Sequence, residues 1–221
     1  MTTLLRVDAS IRVDGSVSRA LADSAEAAWR AEHPDGVVVR RDLGKHPVPA
    51  GVWQTLITDR FGWEAPGDAE FADLAAANAV AEEILTEFKA ADAVLLAVPL
   101  YNYGIAQHVK GWMDVLLTDQ GLQRGGDVAG RPLILTLARG GGYGPGTPRE
   151  GWDHATPYLE RIFGEVFQMD VHKAEAELTL APVTPGMEEL IEAAKESEKA
   201  ALDHAGRHGT QVARRLTGAA A

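Results

Sequence analysis

The chain has 221 residues, enough to bury one sizeable core, and its 46% hydrophobic and 24% charged content is far from the composition of a disordered polymer. Its 32 acidic against 21 basic residues leave a formal charge of −11, which repels a nucleic-acid backbone or an anionic membrane surface, so neither is an expected partner. There is no cysteine, which excludes disulfides, thiolate metal sites and a Cys nucleophile.

Residues 1–10 have no basic leader region, and no apolar stretch approaches the roughly 20 residues needed to cross a bilayer. A single cytoplasmic domain spanning 1–221 is the expectation. Residues 3–9 form a short apolar run that predicts a strand, 10–18 a Ser/Gly-containing loop, and Leu21, Ala25, Ala28 and Trp29 recur at helical spacing. His33-Pro34-Asp35-Gly36 breaks that helix, and Val37-Val38-Val39 opens a second strand. The excursion at 44–68 holds Pro47, Pro49 and Pro66 among Val52, Trp53, Leu56, Ile57, Phe61 and Trp63, and is expected to be partly helical. Residues 68–91 predict a long helix whose apolar face includes Phe71, Leu74, Ala75, Val80, Ile84, Leu85 and Phe88.

The near-continuous apolar run 93–98 has the character of a parallel strand covered on both faces. A similar run occupies 133–137, and between them 105–117 carries Val109, Trp112, Met113, Leu116 and Leu117 at helical spacing. A weaker strand is expected over 170–177. Met187, Leu190, Ile191, Ala194, Ala201 and Leu202 trace a terminal helix expected to decay at Gly206 and Gly209. Alternating strands and helices imply an α/β, doubly wound, open parallel sheet, which binds ligands at the carboxyl ends of its strands.

Three strand ends carry chemistry. The first leads into Ser10-Ile11-Arg12-Val13-Asp14-Gly15-Ser16-Val17-Ser18 before a helix start, where unpaired amides and hydroxyls favour an anion; helix capping by Ser16 or Ser18 is the plainer alternative. Neither a P-loop nor a GxGxxG fingerprint is present. The central strand ends in Pro99-Leu100-Tyr101-Asn102-Tyr103-Gly104, a rigid surface suited to a heteroaromatic ring or simply a packed turn. The next ends in Ala138-Arg139-Gly140-Gly141-Gly142-Tyr143, where glycines let the backbone approach a ligand closely.

Together the SxxxxxSxS loop, the PLYNYGI segment with Lys110 downstream, and the ARGGGY loop resemble the FMN-binding loops of the FMN-dependent NADH-azoreductase family, related to NAD(P)H quinone reductases, over residues 3–217. The resemblance implies a flavodoxin-like five-stranded parallel sheet of order 2-1-3-4-5 with helices on both faces. It also implies tightly bound FMN, NADH or NADPH as reductant, and a quinone, azo or related aromatic acceptor. Ser10, Ser16, Val17 and Ser18 would hold the phosphate, Leu100, Tyr101, Asn102 and Tyr103 line the ring, and Ala138, Arg139, Gly140 and Gly141 border its pyrimidine side. Chemistry would rest with the flavin; Asn102, at the ring edge, and Tyr143 and His108, as proton-handling groups, are the candidate catalytic side chains. Departures from the family pattern are Val17 where a polar residue is common, Ala138 where Ser is frequent, Tyr143 at a position that is His in some relatives, and a shortened 122–131 segment.

Trp53, Phe61 and Trp63 are apolar side chains in a connection placed to cover a neighbour's flavin, hence the expectation of a homodimer. The competing functions are a flavodoxin-like electron carrier and a family member recruited to a specialised biosynthetic reduction. His204 and His208 lie four apart but lack a third ligand, so no metal is expected. No GxSxG occurs, which leaves a serine hydrolase unsupported.

Overall fold

The fold is known from a computed structural model, which describes residues 1–64 and 73–218. Five strands, β1 (Thr3–Asp8), β2 (Val37–Asp42), β3 (Ala93–Pro99), β4 (Pro132–Ala138) and β5 (Asp170–Ala176), form one sheet of order β2-β1-β3-β4-β5. Every pairing is parallel, as the alternation of strands and helices requires. β3 and β4 are buried along their whole length, which is why they read as unbroken apolar runs.

One face of the sheet carries α1 (Val17–Glu32) and α6 (Ile191–Leu216), packed over Leu4, Leu95 and Ile134 with Trp29 fully buried between them. The other face carries α2 (Val52–Phe61), α3 (Leu74–Ala90), α4 (Gln107–Leu116) and α5 (Thr156–Leu159), the last continuing as a π-helical segment, Glu160–Val166. Phe88, Trp112, Phe163 and Phe167 interlock there at centroid separations of 5.6–6.4 Å, tilted or edge-to-face except for the stacked Trp112–Phe163 pair, arrangements that aromatic quadrupoles favour.

Three expectations need correction. The terminal helix does not decay at its glycines but runs on to Leu216, because Gly209 packs directly against the α1 backbone at Ala25. A Cβ at Gly209 would stand 2.2 Å from the Ala25 carbonyl oxygen, so packing outweighs the helix-weakening tendency of glycine. This helix begins at Ile191, after a 3-10 turn at Glu188–Leu190. The long helix starts at Leu74, with Asp73 as N-cap accepting from Ala76 N at 3.1 Å; Pro66 and Phe71 lie outside the described residues.

The third correction concerns β1, whose apolar reading overlooked Arg6, only 3% exposed. Its guanidinium bonds Asp8, Asp23 and Glu26, and these carboxylates outweigh the burial that opposes its charge and raise its pKa. Such a charge tolerates burial because every lobe of it is paired.

Candidate functional site

The winding reverses between β1 and β3, since β2 lies on one side of β1 while β3, β4 and β5 lie on the other. Loops leaving the carboxyl ends of β1 and β3 therefore diverge and leave a crevice. Hydrogen bonds tie its rims together. Tyr101 Oη lies 3.5 Å from Ser10 Oγ and accepts from Ile11 N at 3.3 Å, and His108 Nε2 meets the Ala9 carbonyl at 2.6 Å. Because a carbonyl can only accept, that nitrogen of His108 carries the proton and is committed to holding the β1 loop. Leu100 N donates to Ala138 O at 2.8 Å, joining the third rim.

The first loop is fixed from beneath. Arg19 donates to the Ser10 carbonyl at 2.7 Å while its other contacts run to Asp42 and Asp8, and Gly44 packs so closely that a Cβ there would lie 2.2 Å from the same carbonyl oxygen. Asp42, although burial disfavours its charge, is held below the usual carboxylate range by Arg19. Ser10, Ser16 and Ser18 are all buried, and Ser16 Oγ and Ser18 Oγ lie 3.3 Å apart. Ser16 does cap α1, but at a long 3.5 Å to Arg19 N. The Val17 and Ser18 amides find no acceptor among the described residues, as the geometry of a helix start dictates. A cap alone leaves these donors and the Ser18 hydroxyl underused; an oxyanion satisfies them.

The second loop is a two-residue hairpin turn. Tyr101 and Gly104 exchange both backbone hydrogen bonds, at 3.1 and 3.0 Å, with Asn102 at φ 50° and Tyr103 at φ 66° between them. Two successive left-handed residues are the mark of a type I′ turn, readily adopted by Asn but at a cost of about 1 kcal/mol or more for Tyr. Its surroundings hold that conformation: His154 N donates to the Tyr103 carbonyl at 2.9 Å, and the Tyr103 ring meets Trp152 edge-on at 5.4 Å and Tyr143 at 6.5 Å.

The third loop turns its carbonyls inward. Arg139, Gly140 and Gly141 accept from Thr179, Leu180 and Leu178, so the amides of Gly140, Gly141 and Gly142 are left with no acceptor among the described residues. The Arg139 side chain points away into Asp153, Glu175 and Glu177, and its N–H and carbonyl are taken by Ala176 and Thr179, so contrary to expectation the loop's free donors begin only at Gly140. Tyr143 N is held by Glu177 at 3.0 Å.

Beside the hairpin, on the side of α2 and α4, opens a cleft of about 1140 Å³ walled by Pro47, Val48, Trp53, Tyr101, Asn102 and His108 among others. It meets the first loop at Ile11 but does not reach residues 138–141. Of the sequence-expected residues Tyr101, Asn102 and His108 line the cleft, whereas the 10–18 and 138–141 loops stand at the neighbouring strand ends; the 47–54 wall lies in the proline- and tryptophan-bearing excursion the sequence marks out, while Arg19, Gly44 and Trp152 escaped notice. Only Gly44 and Trp152 had any signal, a breaker before a proline-rich segment and a tryptophan among turn residues. Among the described residues no helix is long and apolar enough to cross a membrane.

A family model described as a flavodoxin-like fold matches residues 2–203. A relative from Frankia casuarinae named FMN-dependent NADH:quinone oxidoreductase is 38% identical over 87% of this chain and 91% of its own. Another of that name from Streptomyces avermitilis is 35% identical over 98% and 99%. A crystal structure of an azoreductase from Bacillus anthracis superposes with a TM-score of 0.73 at 25% identity, covering 96% of this chain and all of that one.

Proposed function

The chain belongs to the flavodoxin-like fold family, and we propose that it is an FMN-dependent NADH oxidoreductase acting on quinones, azo compounds or related aromatic acceptors. The observation that carries this reading is the pair of unpaired donor sets at the ends of β1 and β4, with a flat aromatic wall at the end of β3 between them. Ser10, Ser16 and Ser18 with the free amides of Val17 and Ser18 suit one monophosphate, and no second phosphate fingerprint accompanies them, which favours FMN over FAD. Leu100 to Tyr103 offer the flat wall, and the free amides of Gly140 to Gly142 offer donors to the carbonyl-bearing edge of a ring.

When bound, FMN supplies two-electron hydride chemistry. The protein's own residues bind, orient and hold charge. The glycine amides are preorganised donors, because the N–H groups of 178–180 hold the carbonyls of Arg139, Gly140 and Gly141, and they favour negative charge at the edge they would face. Asn102 stands at the turn's apex, where its side-chain amide would contact the ring edge of a bound flavin. His108 holds the first loop through Ala9; proton handling at this site falls to Tyr143 or to solvent. The wall at 47–54 narrows access to Tyr101 and Asn102, which favours small substrates over the protein partners of an electron carrier.

One cleft serving nicotinamide and acceptor in turn gives ping-pong kinetics, with parallel double-reciprocal lines. Trp53, Phe61 and Trp63, 40–61% exposed with Phe61 and Trp63 stacked at 4.8 Å, support a homodimer in which a second copy covers this side. The test is an absorbance spectrum and extract of the purified protein, followed by steady-state kinetics with NADH and a quinone. FMN with parallel lines is expected; FAD, no flavin, or intersecting lines overturn the assignment or the shared cleft respectively.

A further inference from the structure

Two arginines stand at the third loop, and their surroundings differ. Arg139 is neutralised by Asp153, Glu175 and Glu177. Arg149, ten residues on, has no carboxylate partner among the described residues, and the nearby Glu150 and Glu177 carboxylates are engaged by Gly146 N and by Arg139 and Tyr143 N. Its Cζ lies 5.9 Å from the Tyr103 ring centroid, and one of its terminal nitrogens lies 3.0 Å from where a Cβ on Gly141 would be. A free guanidinium therefore bridges from the Asn102-Tyr103 turn to the Gly140-Gly142 loop. Tyr103 in turn packs edge-on against Trp152, and the two rings are 39% and 51% exposed.

We propose that Arg149, with Tyr103 and Trp152, forms an anion-selecting subsite that binds a sulfonate or carboxylate on the aromatic acceptor, so that acid-substituted quinones and azo compounds are preferred over neutral ones. The inference rests on the reading that the ring site lies between these two loops. A cation held on an aromatic face keeps its fork of donors free for an oxyanion, and the fork matches the two oxygens of a planar carboxylate or a pair of oxygens of a tetrahedral sulfonate. The aromatic faces add an apolar shelf for the ring that bears the anion. The preference comes from Arg149 because the neighbouring Arg139 is already paired.

The experiment uses the flavin-loaded protein and Arg149→Gln, with Arg149→Lys as the conservative variant. Calorimetry with naphthalene sulfonate, which is not reduced, and with naphthalene methanol gives binding apart from turnover; kcat/KM is measured for a naphthoquinone sulfonate and for unsubstituted naphthoquinone. The sulfonate's Kd should rise roughly 10- to 100-fold in Arg149→Gln, the scale of a charged hydrogen bond, and the ratio of kcat/KM for sulfonated over neutral quinone should fall by a similar factor. Arg149→Lys should recover part of both, and added salt should lower the ratio in the parent protein more than in Arg149→Gln. Unchanged sulfonate affinity and ratio, or an equal loss for both quinones, overturns the subsite. So does loss of flavin from Arg149→Gln, which would give Arg149 to the cofactor. A parent protein that takes up no flavin instead sinks the underlying reading, and this is visible before any acceptor is added.

Discussion

Replacing Gly44 by alanine tests how the first loop is held. The added Cβ would lie 2.2 Å from the Ser10 carbonyl oxygen and 2.7 Å from its carbon, whereas ordinary contact begins at 3.4 Å, so a separation of 3.4 − 2.2 = 1.2 Å must be made up. Leu43 N is anchored to the Asp8 carbonyl at 2.8 Å on the β2 side, while Ile11 beyond Ser10 is 66% exposed, so the loop yields rather than the strand. Moved by that amount along its bond to Arg19, the Ser10 carbonyl goes from 2.7 to 3.9 Å and the bond is lost. Overpacking of this kind costs about 1–3 kcal/mol, which for a chain this long lowers Tm by about 2–12 °C. Displacing the Ser10 hydroxyl from a phosphate removes a charged hydrogen bond, and FMN affinity should fall roughly 10- to 100-fold. Titration of apoprotein with FMN, followed by flavin fluorescence, measures this alongside a thermal melt. Gly111→Ala is the control: nothing lies within 4 Å of its Cβ position in α4, so it should gain up to about 1 kcal/mol from helix propensity. A Gly44→Ala protein that binds FMN as tightly as the parent and melts with it would refute the account of the loop.

The two glycines of α6 should respond with opposite signs. Gly209→Ala, driven into the Ala25 backbone, should lose about 1–3 kcal/mol, whereas Gly206→Ala meets only Ser24 Oγ at 3.3 Å and should be neutral or gain up to about 1 kcal/mol; equal melting temperatures would sink the packing argument. His208 is depressed below its ordinary pKa by burial and by its neighbours His172 and His204, against the opposing bond to the Lys173 carbonyl. The folded chain then binds fewer protons than the unfolded one, so the stability present above the unfolded value of about 6.5 is lost as pH falls through and below it. Melting temperature should decline from about pH 7.5 to about 5.5, and less steeply in His208→Gln; identical slopes would remove His208 from the account.

The sheet was legible because β3 and β4 are buried on both faces and leave no polar position to interrupt them. β1 was legible in extent but not in content, since periodicity cannot say that Arg6 is buried among three carboxylates that come from its own strand and from α1. The end of α6 was misjudged because a glycine's cost is local and its benefit lies on another helix, 184 residues away at Ala25 (209 − 25). At the site, the Ser and Gly loops announced themselves by residue type. Arg139 drew attention over Arg149 because it adjoins the glycines; only the fold reveals that one charge is cancelled and the other is not.

The two ends of this crevice are built to different standards of rigidity, and that bears on how such a protein can change over time. Ser10, Ser16 and Ser18 are buried and tied through Arg19 and Gly44 into the sheet, so substitutions there disturb folding along with ligand binding. Tyr103, Arg149 and Trp152 hang on surface loops whose replacement leaves the core untouched. On the proposed function, mutational drift is thereby channelled toward the acceptor end, where descendants would try new substrates while inheriting the buried serine loop that would anchor the cofactor.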